Sequence, residues 1–142
     1  MIKIRHTGLV TKNLKKSLYF WCDLLKFKIK KEALEQGDLI DKVLGYKGVK
    51  VQTIKLEDSF ENLIEILYFH NSPKTHRFKI FPYSTGYTHI SITVQNIQKL
   101  YKKLLKNKIK FNSTPKKSID GKVIMTYCTT PENGYLELVE EI

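Results

Sequence analysis

The sequence predicts an α+β fold made of two βαβββ modules. Two repeated features and the turn signals between them carry that expectation. The first is a strand with one histidine, then an asparagine cap, then an amphipathic helix. It is clearest in YTHISITVQNIQKLY, Tyr87 to Tyr101, and recurs near the start as RHTGLVTKNLKKSLYFW; His89 lies seven residues before Asn96, as His6 lies seven before Asn13. The second is an apolar strand interrupted by one glutamate, NLIEILY around Glu65 and GYLELVE around Glu137. Each copy thus offers one histidine and one glutamate.

Residues 2–11 form the first expected strand, with Ile4, His6, Gly8 and Val10 on one face and Arg5, Thr7 and Leu9 on the other. A helix follows from about Leu14 to Lys26. Leu14, Leu18, Trp21, Cys22 and Leu25 recur at helical spacing and make its apolar stripe, while Tyr19 and Phe20 fall off it. Asn13 stands where a side-chain oxygen can accept from an unpaired N–H of the first turn. Phe27 to Lys31 alternates as a second strand, Glu32 to Tyr46 reads as a loop with room for a helical turn, and Val49 to Leu56 is a third strand. A turn over Asp58 to Asn62 leads into the strand Leu63 to Phe69, which places Glu65 on one face with Leu63 and Leu67.

Residues 71–86 hold two prolines, a glycine and clustered turn residues, and are expected to link module 1 (1–70) to module 2 (87–142) within a single domain. In module 2 the expected elements are a strand over 87–95, a helix over 97–107 capped by Asn96, and strands over 109–114, 122–130 and 135–141. Turns at Asp120-Gly121 and over Pro131 to Gly134 separate the last three, with Asn133-Gly134 a hairpin signal. One helix covers one face of a four-stranded sheet. Each module therefore needs a partner surface for the other face.

Composition narrows the class of function. With 142 residues and 42% hydrophobic content the chain can bury a core, and no apolar run nears the roughly 18 residues that span a bilayer. Residues 1–10 lack a signal-peptide core, and the cysteines, Cys22 and Cys128, form no CxxC pair; a reduced, cytoplasmic setting without membrane attachment is expected. The net charge is +11, yet 23 of the 25 basic residues are lysines scattered along the chain. Only Arg5 and Arg77 offer the bidentate fork that reads bases, so specific nucleic-acid binding is not expected. The positive field suits an anionic small molecule.

His6, Glu65, His89 and Glu137 occupy matching places in the two copies, and all four interrupt apolar strands. Imidazole and carboxylate together suit a borderline divalent metal such as zinc, nickel, cobalt, manganese or iron(II). A glutamate inside an apolar strand also calls for a cation nearby or a raised pKa. His70 and His76 have no repeat partner and are expected at the surface. Cys128, in a late strand without a visible activating neighbour, is expected to be an inert buried thiol.

Taken over nearly its whole length, the chain resembles the vicinal oxygen chelate superfamily, which includes glyoxalase I, extradiol dioxygenases, methylmalonyl-CoA epimerase and the fosfomycin and bleomycin resistance proteins. The resemblance is carried by HTGLVTKNLKKSLYFWCDLLKFKI, LIEILYFHNSP, GYTHISITVQNIQKLYKKL and the closing TTPENGYLELVE, in which Thr130 and Glu132 replace the aspartates of the family's usual turn. It implies curved mixed sheets forming a cup around one divalent ion, a glyoxalase-like fold, with His6, Glu65, His89 and Glu137 as metal ligands. It implies glyoxalase-type isomerase or lyase chemistry on a small substrate that chelates through vicinal oxygens, with Glu137 the first-choice proton carrier and Glu65 the second. Tyr127, ten residues before Glu137, matches an aromatic that lines the cup and is a substrate-binding candidate. Val10 stands where bacterial glyoxalase I enzymes commonly carry an arginine for glutathione, which puts glutathione in doubt. The alternatives are an extradiol-type iron(II) dioxygenase using His6, His89 and Glu137, and a protein that sequesters a drug without chemistry. A symmetric homodimer is also expected, with Tyr19 and Phe20 at the contact.

Overall fold

In the computed structural model, which describes residues 1–72 and 79–142, the repeat becomes two four-stranded sheets of identical plan. The chain divides into two compact units, Met1–Arg77 and Phe78–Ile142. In the first, β1 (Thr7–Val10), α1 (Leu14–Leu18), β2 (Lys28–Gln36), α2 (Asp38–Leu44), β3 (Lys50–Glu57) and β4 (Leu63–Phe69) give the sheet order β1-β4-β3-β2. The second holds β5 (His89–Thr93), α3 (Ile97–Lys106), β6 (Lys116–Lys117), β7 (Val123–Thr129) and β8 (Tyr135–Glu141), in the order β5-β8-β7-β6. In both, the first strand runs parallel to the last and the remaining neighbours are antiparallel. This is the α+β class that the repeat predicts. No helix among the described residues is long and apolar enough to cross a membrane.

Each sheet has a closed face and an open one. Ile54, Leu56, Ile64 and Ile66 are buried on one side of the first sheet, and Thr126, Cys128, Leu136 and Leu138 on the equivalent side of the second. Residues between them, such as Lys55, Glu65, Tyr127 and Glu137, are only partly covered. Strand alternation is the cause: odd and even positions face opposite ways. Burial at Cys128 pushes its thiol up to about 12, in keeping with an inert role.

The helix caps form as expected. Asn13 Oδ1 accepts from the Lys16 N–H at 3.0 Å and Asn96 Oδ1 from the Lys99 N–H at 2.8 Å. The first helix departs from expectation after Leu18, where the chain widens into a π-helical stretch over Tyr19–Leu24, its end marked by the Leu25 N–H reaching the Phe20 carbonyl at 3.1 Å. More residues per turn rotate the later side chains about the helix axis. The buried set is therefore Ser17, Phe20, Trp21 and Leu24; of the expected stripe Trp21 is buried, while Leu14, Leu18, Cys22 and Leu25 are only partly covered. Phe20 lies in the core edge-on to Trp21 with ring centroids 5.1 Å apart, so it is not a surface contact, whereas Tyr19 is exposed.

Other boundaries also move. The first strand begins at Thr7 and not at residue 2, because pairing with β4 starts at Thr7↔Ile64, and Ile2 and Ile4 are exposed. β2 continues to Gln36 because β3 offers it a partner as far as Lys50. The expected loop over 32–46 is thus half strand and half helix: α2 closes at Gly45 in the left-handed region (φ 79°), and the Asp41 carboxylate accepts from the Gly48 and Val49 N–H groups, each at 2.8 Å. The strand expected over 109–114 reduces to a bridge between Phe111 and Cys128, since Thr126 Oγ1 takes the Ser113 carbonyl at 2.7 Å and the chain pairs again only at β6. Asn133 holds a left-handed conformation (φ 65°) in the turn before β8. Of the linker expected over 71–86, residues 73–78, with His76, lie outside the described residues. His70 is exposed and packs edge-on to Tyr68.

Candidate functional site

Parallel pairing of the first and last strands sets the geometry of each unit. In the first unit Gly8 pairs with Glu65, so His6, two residues earlier, falls on the same face just before β1 begins. Its Nε2 lies 3.1 Å from Glu65 Oε2. In the second unit Ser91 pairs with Glu137, and His89, again two residues earlier, places Nε2 3.9 Å from Glu137 Oε2. The same register therefore brings one imidazole to one carboxylate in each half. Both pairs sit on the open face, opposite the buried residues of each sheet. Among the described residues, no three or more His, Cys, Asp or Glu side chains gather as a ligand cluster.

The two histidines differ in their second nitrogen. Thr88 Oγ1 lies 3.1 Å from His89 Nδ1, which orients that ring with Nε2 toward Glu137. His6 Nδ1 is buried and has no partner among the described residues.

Antiparallel pairing adds a third residue to each face. Tyr127 is directly opposite Glu137 and edge-on to His89, with ring centroids 5.3 Å apart. Partial burial raises the Tyr127 phenol above its ordinary value, and the adjacent Glu137 carboxylate, through hydrogen bonding and charge, raises it further. In the first unit the residue opposite Glu65 is Lys55, whose Nζ lies 3.7 Å from Glu65 Oε1. Glu65 is thus held from both sides, by His6 on one oxygen and by Lys55 on the other.

Lys55 escaped the sequence argument, although its signal was present. It lies ten residues before Glu65, as Tyr127 lies ten before Glu137. The repeat logic applied to histidine and glutamate would have found it. The chemistry available on each face is an imidazole and a carboxylate close enough to share a proton or to offer nitrogen and oxygen to one cation. A cavity of about 720 Å³ in the first unit lies on the other side of that sheet, lined by Lys12, Lys15, Tyr19 and Tyr68, and contains neither His6 nor Glu65.

Comparison with known proteins matches the chain over both halves. A glyoxalase family protein from Bacillus cereus superposes with a TM-score of 0.90 at 17% identity, over 100% of this chain and 95% of that one. The trypanothione-dependent glyoxalase I of Leishmania major gives 0.70 at 19%, over 99% and 88%. The genomically encoded fosfomycin resistance protein FosX from Listeria monocytogenes, complexed with Mn(II) and sulfate, gives 0.64 at 15%, over 100% and 95%. These likenesses are of fold. A search of curated proteins finds no match. The model of the Glyoxalase/Bleomycin resistance protein/Dioxygenase superfamily covers residues 3–138, both histidine–glutamate pairs included, and with that span the chain belongs to this superfamily.

Proposed function

We propose that the protein is a metal-dependent isomerase or lyase of the glyoxalase type, acting on a small substrate that presents two vicinal oxygens, with His6, Glu65, His89 and Glu137 as the ligands of one divalent ion. The observation that carries this is the repeated register, Gly8↔Glu65 and Ser91↔Glu137, which puts an imidazole beside a carboxylate in both halves. The donor set fits such an ion: two nitrogens and two carboxylates form a borderline ligand group, and each Nε2 already points at its partner carboxylate. Support also comes from relatives, one a glyoxalase I and another complexed with Mn(II). When bound, the ion would polarise a substrate carbonyl and lower the cost of negative charge on its oxygens.

The chain's own residues divide the remaining work. Glu137 is the proton carrier: its neighbours are a phenol and an imidazole, whereas Glu65 also faces the Lys55 ammonium, so Glu137 is the less firmly held of the two and the freer to take a proton. Tyr127 donates to that carboxylate and orients it. Glu65, flanked by His6 and Lys55, is the more firmly held carboxylate and the second choice as base. Val10 supplies no guanidinium, so glutathione is not the expected carrier of the substrate. A symmetric homodimer in a reduced, cytoplasmic setting completes the proposal, in accord with two free cysteines and open sheet faces.

The test is a panel of 2-oxoaldehyde hemithioacetals, acyl-CoA thioesters and catechols, each assayed with nickel, zinc, cobalt, manganese and iron(II). Isomerisation or lysis of a non-catechol substrate with a redox-inert ion supports the proposal. Turnover of catechols alone, with iron(II) and oxygen only, would replace it with an extradiol dioxygenase. Binding without turnover would favour a sequestering protein.

A further inference from the structure

We infer that Lys55 is a specificity-determining residue that selects ligands carrying an additional anionic group beside their chelating oxygens; this deepens the metal-site proposal and rests on it. Three observations carry the inference. Lys55 is paired directly with Glu65, so the two side chains project from the same open face. Its ammonium side chain is 24% exposed and lies 3.7 Å from Glu65 Oε1, the oxygen that His6 does not face. The repeat-related position in the second half holds a neutral phenol, Tyr127, so the cation belongs to one half only.

Distance and charge then point to what Lys55 can do. A tight ammonium–carboxylate hydrogen bond closes to about 2.7–2.9 Å. At 3.7 Å the Lys55 ammonium is held near Glu65 without being fully committed to it, and an ammonium has three N–H groups to offer. Two carboxylates and a divalent ion sum to zero, and Lys55 leaves one positive charge over. A ligand that binds the ion through neutral oxygens would leave that charge unanswered. One that adds a carboxylate, phosphonate or phosphate oxygen would meet it. Partial burial makes the match stronger than it would be for a fully solvated lysine, because screening by water is reduced. The ligand class is thus a small anion in which the charged group and the chelating oxygens are adjacent.

The experiment uses the full chain and two chelators that share one hydroxamate but differ by a further anionic group, acetohydroxamate and phosphonoacetohydroxamate. Wild type, Lys55→Met, Lys55→Gln and Lys55→Arg are first titrated with Mn(II) alone by calorimetry, and then with each chelator after loading. Loss of one charge-assisted hydrogen bond should weaken phosphonoacetohydroxamate by about 10- to 100-fold in Lys55→Met and Lys55→Gln, with acetohydroxamate changing much less and Lys55→Arg restoring most of the affinity. Equal losses for the two chelators, or no loss for phosphonoacetohydroxamate, would overturn the inference while leaving the metal site intact. Abolished Mn(II) uptake in both neutral variants would also overturn it, by making Lys55 a structural support for Glu65. Failure of the wild type to take up Mn(II) would overturn the metal-site proposal itself and this inference with it.

Discussion

Thr11, at the junction between β1 and α1, offers a prediction whose size can be worked out from a few atoms. Its hydroxyl oxygen accepts from the Ser17 hydroxyl at 2.7 Å and from the Asn13 N–H at 3.1 Å, while its own N–H reaches the Leu67 carbonyl at 2.9 Å. Thr11 and Ser17 are both fully buried. Thr11→Val keeps the shape and the backbone bond but leaves two donors without their acceptor. A buried unsatisfied donor costs about 1–3 kcal/mol. Ser17 can recover part of this by turning its hydroxyl to a carbonyl of its own helix, and the Asn13 N–H can reach water, so each loss should fall at the low end. The total is about 2 kcal/mol, or a fall in Tm of about 4–8 °C for a chain near 150 residues. Urea and thermal unfolding followed by circular dichroism measure it. The sharper test is the cycle with Ser17→Ala: removing both partners of a buried hydrogen bond is close to neutral, so the double variant should be more stable than the two single losses added together. A Thr11→Val loss below about 0.5 kcal/mol, or strict additivity with Ser17→Ala, would refute the account.

Three further predictions concern the site and one turn. Glu137→Gln keeps an oxygen donor but removes the carboxylate proposed to carry the proton, so turnover should fall by about 10² to 10⁴ with metal content better preserved than in Glu137→Ala; parallel kinetics and metal analysis separate the two effects. His89→Ala should lower the metal bound per chain, measured by mass spectrometry of the purified protein, and a stoichiometry equal to wild type would remove His89 from the ligand set. At Asp58, burial opposes ionisation, but the hydrogen bonds from the Asn62 side chain and from the Asn62 and Phe60 N–H groups together outweigh it and hold the carboxyl below its ordinary 3.8. A depressed folded-state pKa contributes stability above 3.8 that is lost as the pH falls through the lower folded value. Asp58→Asn should therefore be less stable than wild type near neutrality, with the gap closing below pH 3.8; a gap that stays constant with pH contradicts this assignment.

Local chemistry explains which features were readable without the fold. Asn13 and Asn96 cap helices because a side-chain oxygen two or three residues from an unpaired N–H finds it regardless of the rest of the chain. The Leu63–Phe69 and Tyr135–Glu141 strands end where the periodicity ends. The equal seven-residue spacing from histidine to asparagine in the two halves, with one glutamate interrupting the closing apolar strand of each, exposes the duplication, and with it the identical strand plan of both sheets.

Features that depend on a partner distant in sequence were not readable. The π-helical widening at Tyr19–Leu24 turns Phe20 inward because packing against the sheet outweighs regular helix geometry, and nothing in the helical spacing announces it. β2 is nine residues long because β3 is there to pair with it, and the strand expected over 109–114 is lost because Ser113 finds a side-chain donor in Thr126. The sequence by itself determined which residue types recur in each half: one histidine, one glutamate and the strands that carry them. Only the tertiary structure decided their neighbours. Parallel register places each imidazole against its carboxylate, and antiparallel register places a lysine beside one carboxylate and a phenol beside the other. Register is a property of two strands pairing across a sheet, and a single strand read alone contains no information about its partner's alignment.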